Sequence, residues 1–319
     1  MGKTKVLSWS LTRARTFEEC PRRFYYTFYL APLGLYEDAP EEAKLAYEMK
    51  YIKSLDMWVG EVVHQTIQWI LEQSRKGKIV NVENARADIK RRLRQGWQGS
   101  RNQLWRKNPP DVYPNLFEHY YGLEVNNAIK EKLKNKALTS ITNFAESEIL
   151  EKINQTPADR WLPIDKNASF YMDGILMYVK FDFALKDGKR ILVYDWKTGG
   201  VSPYESRQLA CYAMYTSSTW NVPIENIAVC PTRLQPDFHC LEHIVSFEEI
   251  EDTKAYLKQS FEAMVSSLQD SARNIAVIDD FPPTCNLHCC VRCAFKGICE
   301  LGKYASGDLD DLIEIQDQD

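Results

Sequence analysis

The stretch that most constrains the fold is residues 187–200, DGKRILVYDWKTGG. Asp187-Gly188 is a hairpin signal, and the apolar run Ile191–Tyr194 behind it reads as a buried strand. That strand ends in Asp195-Trp196-Lys197, and Thr198-Gly199-Gly200 then leaves its mouth open. Alternation along a strand puts Asp195 and Lys197 on one face. Such a strand needs a sheet that buries its middle and leaves its end accessible.

Neighbouring segments supply the rest of that sheet. NASFYMDGILMYVKFDFAL (167–185) alternates as a pair of strands turned near Asp173-Gly174, and Asp182 sits where it can converge on Asp195 and Lys197. A helix over about 203–217 sets Gln208 and Tyr212 four residues apart, on one face. A further strand is expected at Asn226–Val229 and a long helix at 247–269. Towards the N-terminus the chain reads as helical. A capped helix starts at Ser10 or Thr12 and runs to Pro21, and helical spacing over 42–75 lines up Leu55, Trp58, Val62, Ile67, Ile70 and Leu71. A polar-basic helix covers about 83–97, turn signals cluster at 108–111, and another helical stretch runs from about 115 to 153.

The expected class is α/β: a small mixed sheet flanked by helices, with a helical N-terminal half and a C-terminal cysteine segment. The expected segments are 1–54 (helical, with Cys20), 55–164 (helical, with His64 and a basic arm), 165–280 (the core), 281–305 (cysteine-rich) and 306–319 (acidic tail).

Two carboxylates can hold Mg²⁺ or Mn²⁺ through oxygen, and a nearby lysine can orient or deprotonate water or stabilise charge on phosphorus. An exposed strand face with an ordinary ion pair would carry the same Asp-x-Lys residues. His64, on the helix with Trp58 and Ile67, reads either as a hydrogen-bonded core histidine or as a further metal ligand. Taken together, Gly60-x3-His64, Asp182, Asp195-x-Lys197 and Gln208-x3-Tyr212 resemble the RecB-type branch of the PD-(D/E)XK nuclease superfamily, over roughly residues 55–215. That resemblance implies the restriction-endonuclease-like core and a metal-dependent nuclease. It makes His64, Asp182, Asp195 and the Trp196 carbonyl the metal ligands and Lys197 the catalytic lysine, with Gln208 and Tyr212 positioning DNA or the lysine. VKFDFAL departs from relatives that carry Gly-x-x-Asp followed by Arg.

Five of the nine cysteines fall in residues 285–299, and such clustering in a chain of this size points to metal rather than to disulfides. Cys290-x2-Cys293-x5-Cys299 provides three thiolates; Cys285, Cys289, His288 and Cys20 are candidates for a fourth. Thiolates alone leave zinc and iron open. The context of Cys20, FEECPRRFYY, is similar to that of the iron–sulfur members of the same branch, and the resemblance assigns Cys20, Cys290, Cys293 and Cys299 to a [4Fe–4S] cluster. Such a centre would close a loop of about 270 residues and act as a staple. Cys285 and Cys289 have no assigned role, and Cys211, Cys230 and Cys240 read as ordinary buried thiols.

The net charge of −4 conceals a division. Residues 306–319 carry six acidic side chains and no basic one, whereas residues 75–107 carry eleven Lys/Arg against Glu83 and Asp88. Arg91, Arg92, Arg94, Trp97, Arg101, Trp105, Arg106 and Lys107 interleave cations with indoles, which suits either single-stranded nucleic acid or a solvated helix whose tryptophans pack inward. Phe24, Tyr25 and Tyr26 read as packing around the thiols. The tail reads as disordered, as docking on a partner, or as a cover for the basic groove. Gly2-Lys3-Thr4 lacks the upstream glycine of a phosphate-binding loop, so a helicase or integrase-type partner would be a separate chain. No apolar run is long enough to cross a bilayer.

The expectation is therefore a cytoplasmic deoxyribonuclease acting on single strands or DNA ends, in repair or in defence against mobile DNA. The alternatives are a non-catalytic or partner-activated DNA-binding subunit, and an RNA nuclease.

Overall fold

The computed structural model describes residues 7–109, 111–162, 168–284 and 287–305; Gly2-Lys3-Thr4, Cys285 and the acidic tail lie outside them. Ser10 accepts the Arg13 N–H at 3.2 Å and caps α1 (Leu11–Glu19). Pro21 then opens α2 (Pro21–Tyr25), which continues through a π-helical turn at Tyr26–Leu30 into α3 (Ala31–Leu33). The expected helix over 42–75 is two helices, α4 (Glu41–Lys50) and α5 (Leu55–Arg75), parted by β1 (Ile52–Lys53) and by the Ser54 cap. A serine hydroxyl that accepts the Met57 N–H starts a helix here instead of continuing one.

The polar-basic helix is longer than its charge pattern suggested: α6 spans Val82–Arg101 from an Asn81 cap. The stretch 115–153 is likewise divided, into β2 (Asn115–Leu116), α7 (Phe117–Tyr120), α8 (Asn127–Ala145) and α9 (Glu148–Gln155). Gly122, with φ +68°, ends one helix, while the side chains of Asn126 and Ser147 start the next two. The strands are β3 (Ser169–Met172), β4 (Ile175–Tyr178), β5 (Phe183–Asp187), β6 (Arg190–Lys197), β7 (Ile227–Arg233) and β8 (His239–Cys240). The remaining helices are α10 (Glu205–Trp220), α11 (Phe247–Ser266) and α12 (Leu287–Val291).

The chain divides into two units, each described here by itself. One comprises residues 53–168 and 180–247. Its sheet has the order β5-β6-β7-β8; β6 runs antiparallel to β5 and parallel to β7, and β8 closes the edge antiparallel. A two-residue loop, Gly188-Lys189, joins β5 to β6, and Gly188 takes φ +63°. Ile191, Leu192, Val193, Ile227, Ala228 and Val229 are all at most 1% exposed, so the middle of the sheet is the core. Each such valine, leucine or isoleucine side chain contributes about 1.5–3 kcal/mol by leaving water.

Helices α5, α6 and α8 pack on one another in the same unit. Leu55, Trp58, Val62, Ile67, Ile70 and Leu71 are all buried, as the stripe required. Gly96 lets the Trp58 indole lie against α6; a Cβ there would stand 2.5 Å from the ring.

The other unit takes the described residues of 1–52, 169–179 and 248–318. The β3–β4 hairpin forms a two-stranded sheet of its own and does not extend the core sheet. It turns through Asp173 (φ +49°) and Gly174 (φ +80°), and Trp9 pairs with it through backbone bonds to Leu176 and Tyr178, each 2.8 Å. Trp9 is fully buried and donates its indole N–H to Ser260 Oγ at 3.0 Å. Phe281, also fully buried, lies among the rings of Phe17, Phe24, Tyr25 and Tyr29.

Candidate active site

The end of β6 delivers Asp195 and Lys197 to one place, as their alternation required. Lys197 forms an ion pair with Asp195 and donates from Nζ to Gln208 Oε1 at 2.6 Å. Gln208, in the first turn of α10, gives its amide N–H to the Tyr212 hydroxyl at 2.7 Å. The Tyr212 oxygen lies 2.7 Å from the Lys180 carbonyl and 3.1 Å from Asp195 Oδ1. Lysine, amide, phenol and carboxylate thus form one closed set of contacts within one unit.

Asp182 stands just before β5, where its own N–H pairs with the Tyr194 carbonyl at 3.2 Å. Its carboxylate is held twice: Oδ2 accepts the Trp196 N–H at 2.7 Å, and Oδ1 lies 2.8 Å from His64 Nδ1. His64 reaches it from α5, one turn beyond Gly60, where a Cβ would come within 3.0 Å of Thr198 Oγ1. The short glycine lets α5 sit against the mouth of β6. Trp196 enters the site through its backbone, while its ring packs between Tyr194 at 5.5 Å and Phe144 at 5.0 Å. The residue after Asp182 is a buried Phe183, edge-on to Trp161.

Burial pushes the Asp195 carboxyl above the usual aspartate range, and the charge of Asp182 adds to the rise against the pull of Lys197. For His64, burial works against protonation, but Asp182 beside it outweighs this and the net shift is upward. Tyr212 is held well above the ordinary phenol range, chiefly by burial and then by Asp195. Asp195 is 5% exposed, and its Oδ2 is held by the Lys197 ammonium.

Among the described residues, no group of three or more His, Cys, Asp or Glu side chains is already set at metal-binding spacing. The acids here are engaged by Lys197 and His64. The donor set nevertheless fits a hard divalent cation: two adjacent carboxylates, one of them buried, and an imidazole.

In the other unit, Cys20, Cys289, Cys290, Cys293 and Cys299 line one cavity of about 20 Å³, together with Arg22, Arg23, Lys296 and aromatic side chains. Cys20 caps α2 by accepting the Arg23 N–H at 3.4 Å, and Tyr26 and Phe295 pack with their rings 5.4 Å apart. Burial pushes the Cys293 thiol up to about 11, with Cys20 and Cys299 adding to the rise. The thiols and three neighbouring cations fit an anionic thiolate-bound centre.

The basic arm is only partly available. A buried Asp88 binds both Arg91 and Arg92. By contrast, Lys90 and Arg94 form no ion pair with a described residue. They line a cleft of about 520 Å³ together with Trp97, Lys130 and Lys134, and no carboxylate among the described residues lines it. Trp97 is half-buried, edge-on to His119 at 4.5 Å and with the Lys130 ammonium 5.2 Å from its ring. Trp105 is also half-buried, with the Arg106 guanidinium 4.5 Å from its ring. Arg101 and Lys107 are exposed. The contribution of Lys130 and Lys134 from α8 was not apparent from the arm, because 40 residues of sequence separate the two walls.

No curated protein sequence matches the chain. The family model of the PD-(D/E)XK nuclease superfamily matches residues 8–300, and the chain belongs to that superfamily.

Proposed function

We propose that the chain is a metal-dependent deoxyribonuclease of the RecB-like branch, hydrolysing phosphodiester bonds in single-stranded DNA or at DNA ends. The observation that carries this reading is the convergence of His64, Asp182, Asp195, Lys197, Gln208 and Tyr212 from four segments onto the mouth of β6. His64, Asp182, Asp195 and the Trp196 carbonyl would hold Mg²⁺ or Mn²⁺, which supplies Lewis acidity towards a phosphoryl oxygen. The Lys197 ammonium orients the attacking water or stabilises charge on phosphorus. Gln208 fixes the lysine, and Tyr212 fixes both the amide and Asp195.

The Lys90/Arg94/Lys130/Lys134 cleft, with its half-buried indole, supports nucleic acid as substrate. Cys20, Cys290, Cys293 and Cys299 are proposed to bind a [4Fe–4S] cluster that staples their unit. Thiolate ligands suit zinc as well as iron, so a single zinc ion is the second reading of that centre. The proposed setting is the cytoplasm, in DNA repair or defence against mobile DNA, beside a separate helicase or integrase-type partner.

Labelled single-stranded DNA, duplex ends and RNA, each incubated with Mn²⁺, Mg²⁺ or EDTA, test the activity. Metal-dependent cleavage of DNA that is lost in Lys197→Ala is expected. An inactive wild type under every metal would favour a binding role, and faster cleavage of RNA would move the substrate class. Absorbance near 400 nm with metal analysis of anaerobically purified protein decides between iron and zinc.

A further inference from the structure

The first turn of α10 carries the amide that meets Lys197, yet Tyr204 at its start supplies no side-chain cap. Uncapped helix ends fray. One face of α10 answers this with three ties to the strand ends. Glu205, Gln208 and Tyr212 follow the spacing i, i+3, i+7 and so share that face. Tyr212 meets Asp195 and Gln208 meets Lys197, both on β6, while Glu205 meets Arg233 on β7. Arg233 is the register partner of Lys197 in the parallel pair, so the two side chains leave the sheet on the same face.

We propose that Glu205 and Arg233 are positioning residues for the reaction: their pair fixes the first turn of α10 and so keeps the Gln208 carbonyl on the Lys197 ammonium. The proposal rests on the nuclease reading of the site given above. Arg233 Nη2 donates to Glu205 Oε2 at 2.8 Å and to Oε1 at 3.1 Å. Its other terminal nitrogen, Nη1, is sealed from solvent and has no hydrogen-bond partner among the described residues. With one terminal nitrogen committed and the other sealed, the guanidinium is placed to act through Glu205 and not on a phosphate.

The end of β7 is itself anchored. The Leu234 N–H donates to the Lys197 carbonyl at 2.9 Å, and Gln235 gives its amide N–H to the Thr198 carbonyl at 2.6 Å. Asn143, on α8, donates to the Leu234 carbonyl at 2.8 Å. Arg233 thus stands on a fixed post from which Glu205 can be held. Stability is a poor reason for the pair. The Arg233 and Glu205 side chains are only 24% and 15% exposed, so desolvation offsets much of their attraction. Exchanging such a pair for apolar side chains is often neutral or stabilising. Position and stability are therefore separable here by experiment.

The test uses the full-length protein, and its first readout needs no cleavage. Hydrogen exchange of the Gln208 side-chain amide is followed by heteronuclear NMR in EDTA, the resonance being identified by its absence in Gln208→Ala. Arg233→Ala and Glu205→Ala should each speed this exchange about tenfold, the weight of roughly one hydrogen bond. Unchanged exchange overturns the proposal whether or not the wild type cleaves DNA. The second readout is single-turnover cleavage of labelled single-stranded DNA with saturating Mn²⁺. Arg233→Ala should lower the rate at saturating DNA about tenfold and leave the half-saturating DNA concentration unchanged. Added to Gln208→Ala it should cost nothing further, since both act through one amide; losses that multiply overturn the proposal. Arg233→Met with Glu205→Leu should melt no lower than wild type and yet be as slow as Arg233→Ala. A wild-type rate in that variant, or a loss that tracks its unfolded fraction, overturns the proposal too. Arg190→Ala, which breaks an exposed ion pair at the other end of β6, is the control and should keep the wild-type rate. A wild type inert under every metal removes the nuclease reading, and amide exchange then decides whether the pair holds Gln208.

Discussion

The Lys197 ammonium gives a hydrogen bond to the Gln208 side-chain carbonyl at 2.6 Å, and the amide of the same glutamine is committed to Tyr212 at 2.7 Å. The second bond fixes which way the amide faces, so Gln208 presents oxygen, not nitrogen, to the lysine. A glutamine held in this way makes the position of Lys197 a property of α10 as well as of β6.

Removing the lysine and loosening it should therefore differ in degree. Lys197→Ala is expected to lower kcat by on the order of 10²–10⁴-fold, the range of a positioned proton-transfer group. Gln208→Ala should lose less, and Tyr212→Phe less again, because one hydrogen bond still orients the amide. Single-turnover cleavage with saturating Mn²⁺ checks the order.

Asp195 links the site to pH. Its folded-state pKa lies above the unfolded value because burial and Asp182 disfavour its charge. The folded state then holds the proton more tightly, so this contribution to stability is complete below the unfolded pKa and is lost as pH rises through the folded one. Metal-free Asp195→Asn should melt above wild type at pH 8, and the difference should shrink towards pH 4. Scanning calorimetry in EDTA measures both, and a gap that widens on acidification would contradict the assignment.

In the basic arm, Asp88 already neutralises Arg91 and Arg92. Charge reversal of Lys90 and Arg94 should weaken single-stranded DNA binding more than Arg91→Ala with Arg92→Ala, and it should flatten the dependence on salt. Fluorescence anisotropy with an oligothymidine in EDTA, repeated at several salt concentrations, gives both quantities.

Phe281 packs against four aromatic rings, and its carbonyl accepts Arg22 Nε at 2.7 Å. Phe281→Ala should cost about 3–5 kcal/mol, as expected for a large core ring. If the thiols of the same unit bind a metal, its content should fall as well. Denaturant titration and metal analysis of one preparation test the two effects together.

The proposed staple makes a separate demand. Protein depleted of its thiolate-bound centre, or carrying Cys20→Ser, should melt at a lower temperature than intact protein. An unchanged melting temperature would remove the stapling role.

Much of this arrangement was legible in residue order. Strand alternation put Asp195 and Lys197 on one face, and a four-residue spacing put Gln208 and Tyr212 on one helix. The apolar stripe of α5 was readable because every member had to be buried. Local capping was harder to read: Ser54, Asn126 and Ser147 interrupt helical spacing that looked continuous, and a short polar side chain can either cap a helix or ride within one. Cys240 reads as a buried thiol, yet it sits on the short outer strand β8 and is half-exposed, because strand order across the sheet is not written in residue order. The second wall of the basic cleft was hidden for a similar reason, since α8 supplies lysines that only packing sets beside α6.

The division of the chain also fixes an order of manufacture. Residues 53–168 and 180–247 hold every side chain of the candidate active site, and the polypeptide has moved on to the other unit by residue 248. On a ribosome every residue of the candidate active site is thus made before Cys290, Cys293 and Cys299 exist. At roughly 5–20 residues per second the last of them follows some seconds later. Any centre those thiols share with Cys20 can be filled only after that, so metal supply to it acts on a chain whose candidate site residues are already made.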